Sequence, residues 1–193
     1  GEKMAGLTFR KRKKRINYNI IKETIIWLAE LALAFFIACL LVVNFGVMTS
    51  NVGQSMEPTL ASGDNVLTNR LVYKLMEPKR GDLVVFKPNG NVNSHYYIKR
   101  VVGLPGETVQ IIDGFIYING EVLVEEIKFD KIEFAGTAEE EIKLGEDEFF
   151  VLGDNRNASE DSRNAEIGNI KKKDIESQAW FNAAWGDRFG KIE

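Results

Sequence analysis

A serine hydroxyl attacks a carbonyl only when a neighbouring group takes its proton, so the chemistry open to this chain turns on which serine has a base within reach. The best-placed serine is Ser55, in the stretch Ser50-Asn51-Val52-Gly53-Gln54-Ser55-Met56-Glu57-Pro58-Thr59-Leu60. Gly53 and Pro58 punctuate that stretch as a fixed loop, neither strand nor helix, able to hold one hydroxyl in place. By itself this would be an ordinary turn serine.

Two bases lie downstream. His95, the only histidine, sits in the polar segment Asn91-Val92-Asn93-Ser94-His95, which reads as a surface loop. With Ser55 it would make a serine–histidine pair. Lys99 lies in Tyr96-Tyr97-Ile98-Lys99-Arg100-Val101-Val102-Gly103, among apolar and aromatic residues. An amine takes a serine's proton only when it is itself neutral, which requires apolar burial to bring its pKa down from about 10.4. In a strand, Tyr97, Lys99 and Val101 share one face while Ile98 and Arg100 share the other. On a solvated face or a sheet edge the same lysine would carry no such role.

A third stretch, Gly153-Asp154-Asn155-Arg156-Asn157-Ala158-Ser159-Glu160-Asp161-Ser162-Arg163, follows directly on an apolar run and is dense in hydrogen-bonding and ion-pairing groups. It could fix a lysine or an oxyanion donor from behind. As a plain surface loop, its polarity would need no explanation. The sequence has no Cys-x-x-Cys, no His-Glu-x-x-His and no Walker loop, and a lone histidine cannot by itself build a metal site.

The 193 residues fit one domain plus an appendage. The appendage is residues 25–43, 19 residues whose only charge is Glu30, and the apolar run extends less cleanly to Val47. About 20 residues cross a hydrocarbon core, so one helix is predicted. Glu30, nearer the basic end, reads as a tolerated snorkelling residue, and Trp27 fits an interfacial ring. The net charge of −3 hides the unbroken run Arg10-Lys11-Arg12-Lys13-Lys14-Arg15. Such a run can bind nucleic acid, but directly before an apolar segment it favours a topogenic role at a membrane surface, and no nucleic-acid partner is expected. The predicted division is a basic cytoplasmic tail over residues 1–19, a transmembrane signal anchor over 20–47 and an extracytoplasmic catalytic domain over 48–193. A cleavable signal peptide would need small residues before the cut, and Asn44-Phe45-Gly46-Val47-Met48-Thr49-Ser50 offers no Ala-x-Ala-like site. Cys39, the single cysteine, lies inside the apolar run, so no disulfide within the chain holds the fold.

The outer part reads as short strands between turns. Leu83-Val84-Val85-Phe86 and Glu148-Phe149-Phe150-Val151-Leu152 are continuously apolar, as buried strands are. Asp113-Gly114 and Asn119-Gly120 are two-residue hairpin turns linking residues 108–112, 115–118 and 121–124. Residues 125–147 are charged and weakly patterned, and the tail after 163 is mixed. With no convincing long helix beyond the anchor, the prediction is a mainly β domain with a smaller inserted β subdomain over about 108–147.

Taken in order, these stretches resemble the bacterial type I signal peptidases, the membrane-anchored serine–lysine proteases of peptidase family S26. The resemblance runs through the anchor, the block 53–60, Gly63-Asp64, Arg80-Gly81-Asp82-Leu83-Val84-Val85-Phe86, the block 97–107 and the 153–163 loop, and looks most like the Gram-positive branch. It implies Ser55 as nucleophile, forming an acyl-enzyme, and Lys99 as general base. Ser159 would hydrogen-bond and orient the lysine. Arg100, Asp154, Asp161 and Arg163 would brace the site. The Ser55 backbone N–H would be one oxyanion donor. In some members the residue two before the nucleophile is a serine or threonine that completes the oxyanion hole; here it is Gly53, which leaves the second donor to a main-chain group or water. Met56, Leu60, Tyr97 and Ile98 match positions lining S1 and S3 pockets for small side chains.

The implied partners are secretory preproteins with small residues at −1 and −3, and the lipid bilayer; no metal or organic cofactor is implied. A self-cleaving repressor-type protease shares the serine–lysine core, but such proteins are soluble and carry a DNA-binding module this chain lacks. An inactive anchored β-domain would have no reason to keep both Ser55 and Lys99. The endoplasmic-reticulum form of the family uses histidine where this chain has Lys99.

Overall fold

The computed structural model describes residues 18–45, 47–91, 93–184 and 186–192; the basic run at 10–15 and the tail around it lie outside the described residues. The chain divides into two compact units, residues 1–40 and 41–193. The first is dominated by helix α1 (Tyr18–Phe45). At about 1.5 Å per residue its 28 residues run about 42 Å, against a hydrocarbon core of about 30 Å. It is long and apolar enough to cross a membrane, and its apolar side chains over residues 18–43, including Trp27, are exposed.

The second unit is mainly β. In chain order it contains β1 (Val47–Ser50), β2 (Asn65–Asn69), the single helical turn α2 (Val72–Leu75), β3 (Leu83–Phe86), β4 (Tyr97–Gly103), β5 (Thr108–Ile112), β6 (Phe115–Ile118), β7 (Glu121–Val122), β8 (Ile142–Lys143), β9 (Glu148–Leu152), β10 (Ile170–Lys171), β11 (Ile175–Asn182) and β12 (Gly190–Lys191). The larger sheet runs β1-β2-β11-β3-β4-β9-β10, with β12 against β11, and the smaller runs β7-β6-β5-β8. The chain of the smaller sheet lies between β4 and β9.

Asp113-Gly114 and Asn119-Gly120 form the predicted turns. All four residues have positive φ (50° and 79°, 52° and 82°), as the tight turn that matches strand twist requires. The apolar runs of β3 and β9 are buried throughout because side chains of alternate parity enter different cores. Val84 and Phe86 join Val101, Phe149 and Val151 in one cluster, whereas Leu83 and Val85 join Met56, Leu60, Ile98 and Ala179 in another. Phe150 and Leu152 pack with Val102, Val109, Ile111 and Ile116, so the smaller sheet shares its core with β4 and β9.

The tail, mixed in its sequence pattern, contains the longest strand among the described residues, β11. This eight-residue strand pairs with both β2 and β3 in the middle of the large sheet. Its buried positions include Ser177 and Asn182, so alternation is present but its apolar signal is diluted.

Candidate active site

The serine loop is built by its neighbours before any chemistry enters. The Asn51 side-chain amide reaches the carbonyls of Gly53 (3.3 Å), Leu60 (3.3 Å) and Ala61 (3.0 Å), closing residues 51–61 into a ring. Main-chain bonds from Asn51 N–H to Asp64 O and from Gly63 N–H to Asn51 O, both 2.8 Å, seal its base. Gly53 takes φ +83°, which an L side chain adopts only at a cost. Met56 and Leu60 pin the loop from below, each 0% exposed; burying each stabilises the fold by about 1.5–3 kcal/mol. The resemblance assigns these two to a substrate pocket; here they form the buried floor of the loop.

Lys99 comes from β4 and is 2% exposed. Its Nζ donates to Ser55 Oγ at 2.6 Å, a side-chain bond across the two elements. Burial pushes the lysine's pKa down from 10.5 to about 8, against the opposing pull of Asp161, Glu160 and Asp154; Arg163 adds a smaller push downward. His95 is exposed and stacks on Tyr97 with ring centres 4.9 Å apart, and Ser55 Oγ is bonded by Lys99 rather than by it.

The 153–163 loop braces both partners. Asp154 takes two bonds from Arg100, Nε to Oδ1 and Nη2 to Oδ2, both 2.8 Å, and a third from Thr59 Oγ1 at 2.5 Å. A buried ion pair thereby ties β4 to the serine loop. Arg100 also donates to Gly81 O at 2.9 Å. Asn155 N–H donates to Ser55 O (3.1 Å), and Asn155 Nδ2 to Gln54 O (3.2 Å). Asp161 accepts from Gly153 N–H at 3.0 Å and takes two bonds from Arg163, both 2.8 Å. Gly153 is required by contact: a Cβ there would lie 2.1 Å from Ser159 Oγ and 2.4 Å from Ser55 O.

Ser159 and Gly53 are the remaining orienting and oxyanion candidates. Ser159 Oγ is buried with no hydrogen-bond partner among the described residues, and the Lys99 amine bonds Ser55. The Gly53 N–H donates to Ser62 Oγ at 3.2 Å. The Ser55 N–H, by contrast, is bonded to no acceptor among the described residues.

Ser55 and Lys99 open into a groove of about 260 Å³, walled by Asn51–Ser55 on one side and His95–Lys99 on the other. Tyr97 and Ile98 contribute to it. On that strand, β4 pairs with β3 from Tyr97 to Arg100 but with β9 only from Arg100 onward. Along residues 97–99 one strand edge is therefore unpaired. Larger cavities exist elsewhere, but this one holds a hydroxyl bonded to a lysine of lowered pKa. Sequence reasoning missed Asn51, Thr59 and Asn155, since polar residues in Gly/Pro turns carry no signal of which carbonyl or carboxylate they will meet.

The family profile described as signal peptidase, peptidase S26, matches residues 24–184. Signal peptidase I P of Bacillus subtilis subsp. natto is 34% identical over 171 residues, covering 85% of this chain and 89% of that protein. Signal peptidase I of Bacillus licheniformis is 37% identical over 137 residues, 67% of this chain and 72% of its own length. A solved signal peptidase I from Enterococcus faecalis V583 is 31% identical and covers 54% of this chain and 97% of that one. Its TM-score of 0.42 is too low to bear on the fold.

Proposed function

Because the chain belongs to the signal peptidase family, peptidase S26, we propose that it cleaves signal peptides from exported preproteins through Ser55 and Lys99. It is a signal peptidase I, a protease with an apolar N-terminal helix. The observation that carries the mechanism is the 2.6 Å contact between Lys99 Nζ and Ser55 Oγ, made by a lysine whose pKa is lowered to about 8.

In its neutral form the Lys99 amine accepts the Ser55 Oγ proton across that same distance as Oγ bonds to the scissile carbonyl carbon. The carbonyl oxygen becomes an oxyanion facing the Ser55 N–H, which is free to receive it. Lys99, now an ammonium, gives its proton to the departing amine as the C–N bond breaks, leaving an acyl-enzyme. Lys99 then takes a proton from water as the water oxygen bonds to the acyl carbon, and returns it to Ser55 Oγ as the acyl–Oγ bond breaks, releasing the signal peptide with a free carboxylate. Arg100, Asp154, Asp161 and Arg163 act on geometry, through the buried pairs that hold the loop.

The preprotein would lie extended in the groove and hydrogen-bond the unpaired edge at residues 97–99. Tyr97 and Ile98 border the groove from β4, Met56 and Leu60 lie beneath the serine loop, and the small groove fits small residues at −1 and −3. The helix anchors the enzyme in a lipid bilayer. The basic run before it supports a cytoplasmic N-terminus and an extracytoplasmic catalytic domain over 48–193, with about 108–147 as an inserted subdomain.

The test is cleavage of a preprotein with an Ala-x-Ala junction by the full chain in lipid vesicles. Cleavage after the −1 alanine is expected, and leucine at −1 should lower kcat/KM by at least about tenfold. Equal cleavage of both substrates would refute the pocket assignment, and no cleavage of either would refute the activity.

A further inference from the structure

Residues 123–135, between β7 and β8, form no strand or helix, yet the segment is tied down along its length. Leu123 N–H bonds Ile116 O (2.7 Å) and Ile132 N–H bonds Gly114 O (3.3 Å). Asn157 grips the far end, donating to Lys131 O and accepting from Glu133 N–H, both at 3.0 Å. Beneath this strap is a cavity of about 410 Å³ walled in part by Arg100, Glu125 and Phe129.

The half-buried Phe129 ring meets two arginines. The guanidinium carbon of Arg156 lies 4.1 Å from the ring centre, and that of Arg100 lies 5.5 Å away. Both arginines belong to the frame of the site. Arg100 holds Asp154 and through it Thr59. Arg156 donates from Nε to Gly153 O (3.2 Å) and from its two Nη atoms to both Glu125 carboxylate oxygens (2.8 and 2.6 Å). The Gly153–Asn155 turn they fix from behind is the one that bonds the Ser55 carbonyl in front.

We propose that Phe129 is a positioning residue for the cleavage reaction, an inference that rests on the Ser55–Lys99 reading. Its ring face holds Arg100 and Arg156 in register, and they hold the turn that sets Ser55. An arginine has many rotamers, and Glu125, the other partner of Arg156's Nη atoms, rides on the same strap. A planar π face orients two guanidinium groups where an aliphatic side chain of similar bulk only fills space. Were Phe129 merely a cover for the cavity, leucine would replace it without loss.

The test compares Phe129→Leu, Phe129→Tyr and Ser55→Ala with the unmodified chain, measuring kcat and KM on the preprotein and amide exchange at Asn155. Phe129→Leu should lower kcat about three- to tenfold with KM within about twofold, and should speed exchange at Asn155. Phe129→Tyr should restore both to within about twofold. Wild-type kcat in Phe129→Leu, unchanged Asn155 exchange, or failure of tyrosine to rescue would each overturn the proposal. Residual cleavage by Ser55→Ala would instead strike the dyad reading, so the two failures are separable.

Discussion

Lys99→Met is expected to abolish cleavage while making the protein more stable at neutral pH. A general base contributes on the order of 10²–10⁴ in rate, and here the same amine also protonates the leaving group, so a loss of at least about 10³-fold is expected. The stability change has the opposite sign. Lys99 has a folded pKa of about 8 against an ordinary 10.5, so its proton is bound more weakly in the folded state than in the unfolded one. Below pH 8 both states carry the proton, and the folded state bears a penalty of about 3 kcal/mol. Between about 8 and 10.5 the folded state sheds it first and stability rises with pH; above that range the penalty is gone. Methionine has no such proton. Allowing about 1 kcal/mol for the lost bond to Ser55, the variant should gain roughly 1–3 kcal/mol at pH 7, and the gain should vanish above about pH 10.5. Thermal unfolding across pH checks the second half and preprotein cleavage the first. A destabilised variant at pH 7 would mean that Lys99 is held comfortably and is not primed as a base.

Arg100→Ala should be the most damaging change to the fold among the site residues. The Arg100 and Asp154 side chains are 6% and 0% exposed, and removing one partner leaves a buried carboxylate with Thr59 as its remaining side-chain donor. Breaking a buried pair in this way costs about 3–5 kcal/mol. In a chain of this length that lowers the melting temperature by about 6–20 °C. Replacing both partners together with apolar residues of similar volume, Arg100→Met with Asp154→Leu, should recover most of that stability, because no charge is stranded. It should not recover activity, because Thr59 loses the carboxylate that ties the serine loop to β4. Melting curves and cleavage rates of the single and double variants would separate the two effects. Full activity in the double variant would show that the tie is dispensable.

How much of this was legible in the sequence follows from what each signal encodes. The helix, the two tight turns and the continuous runs of β3 and β9 are local patterns, and they appear where the residues imply. Ser55 and Lys99 could be paired only through a resemblance, because 44 residues separate them and no periodicity links a loop to a strand. The brace was read as a group of residues, not as bonds. Nothing in the 153–163 loop says that Asp154 meets Thr59 while Asp161 meets Gly153. An apolar residue beside a nucleophile serves a pocket or a core equally well, so the burial of Met56 and Leu60 beneath the loop is not written in the sequence. Strand β11 was missed because Ser177 and Asn182 occupy inward positions where a pattern reader looks for aliphatic residues. One side chain's rotamer is not written in the sequence either: Ser159 packs against Gly153 with its hydroxyl buried and without a partner among the described residues.

The central claim, that a neutral Lys99 activates Ser55, is tested most directly by the pH dependence of kcat/KM for preprotein cleavage. The account predicts a rise with unit slope up to a plateau, with the midpoint near pH 8, where the buried amine loses its proton, and the same midpoint in His95→Ala. A midpoint near pH 6.5 that disappears in His95→Ala would assign the base to the histidine and contradict it.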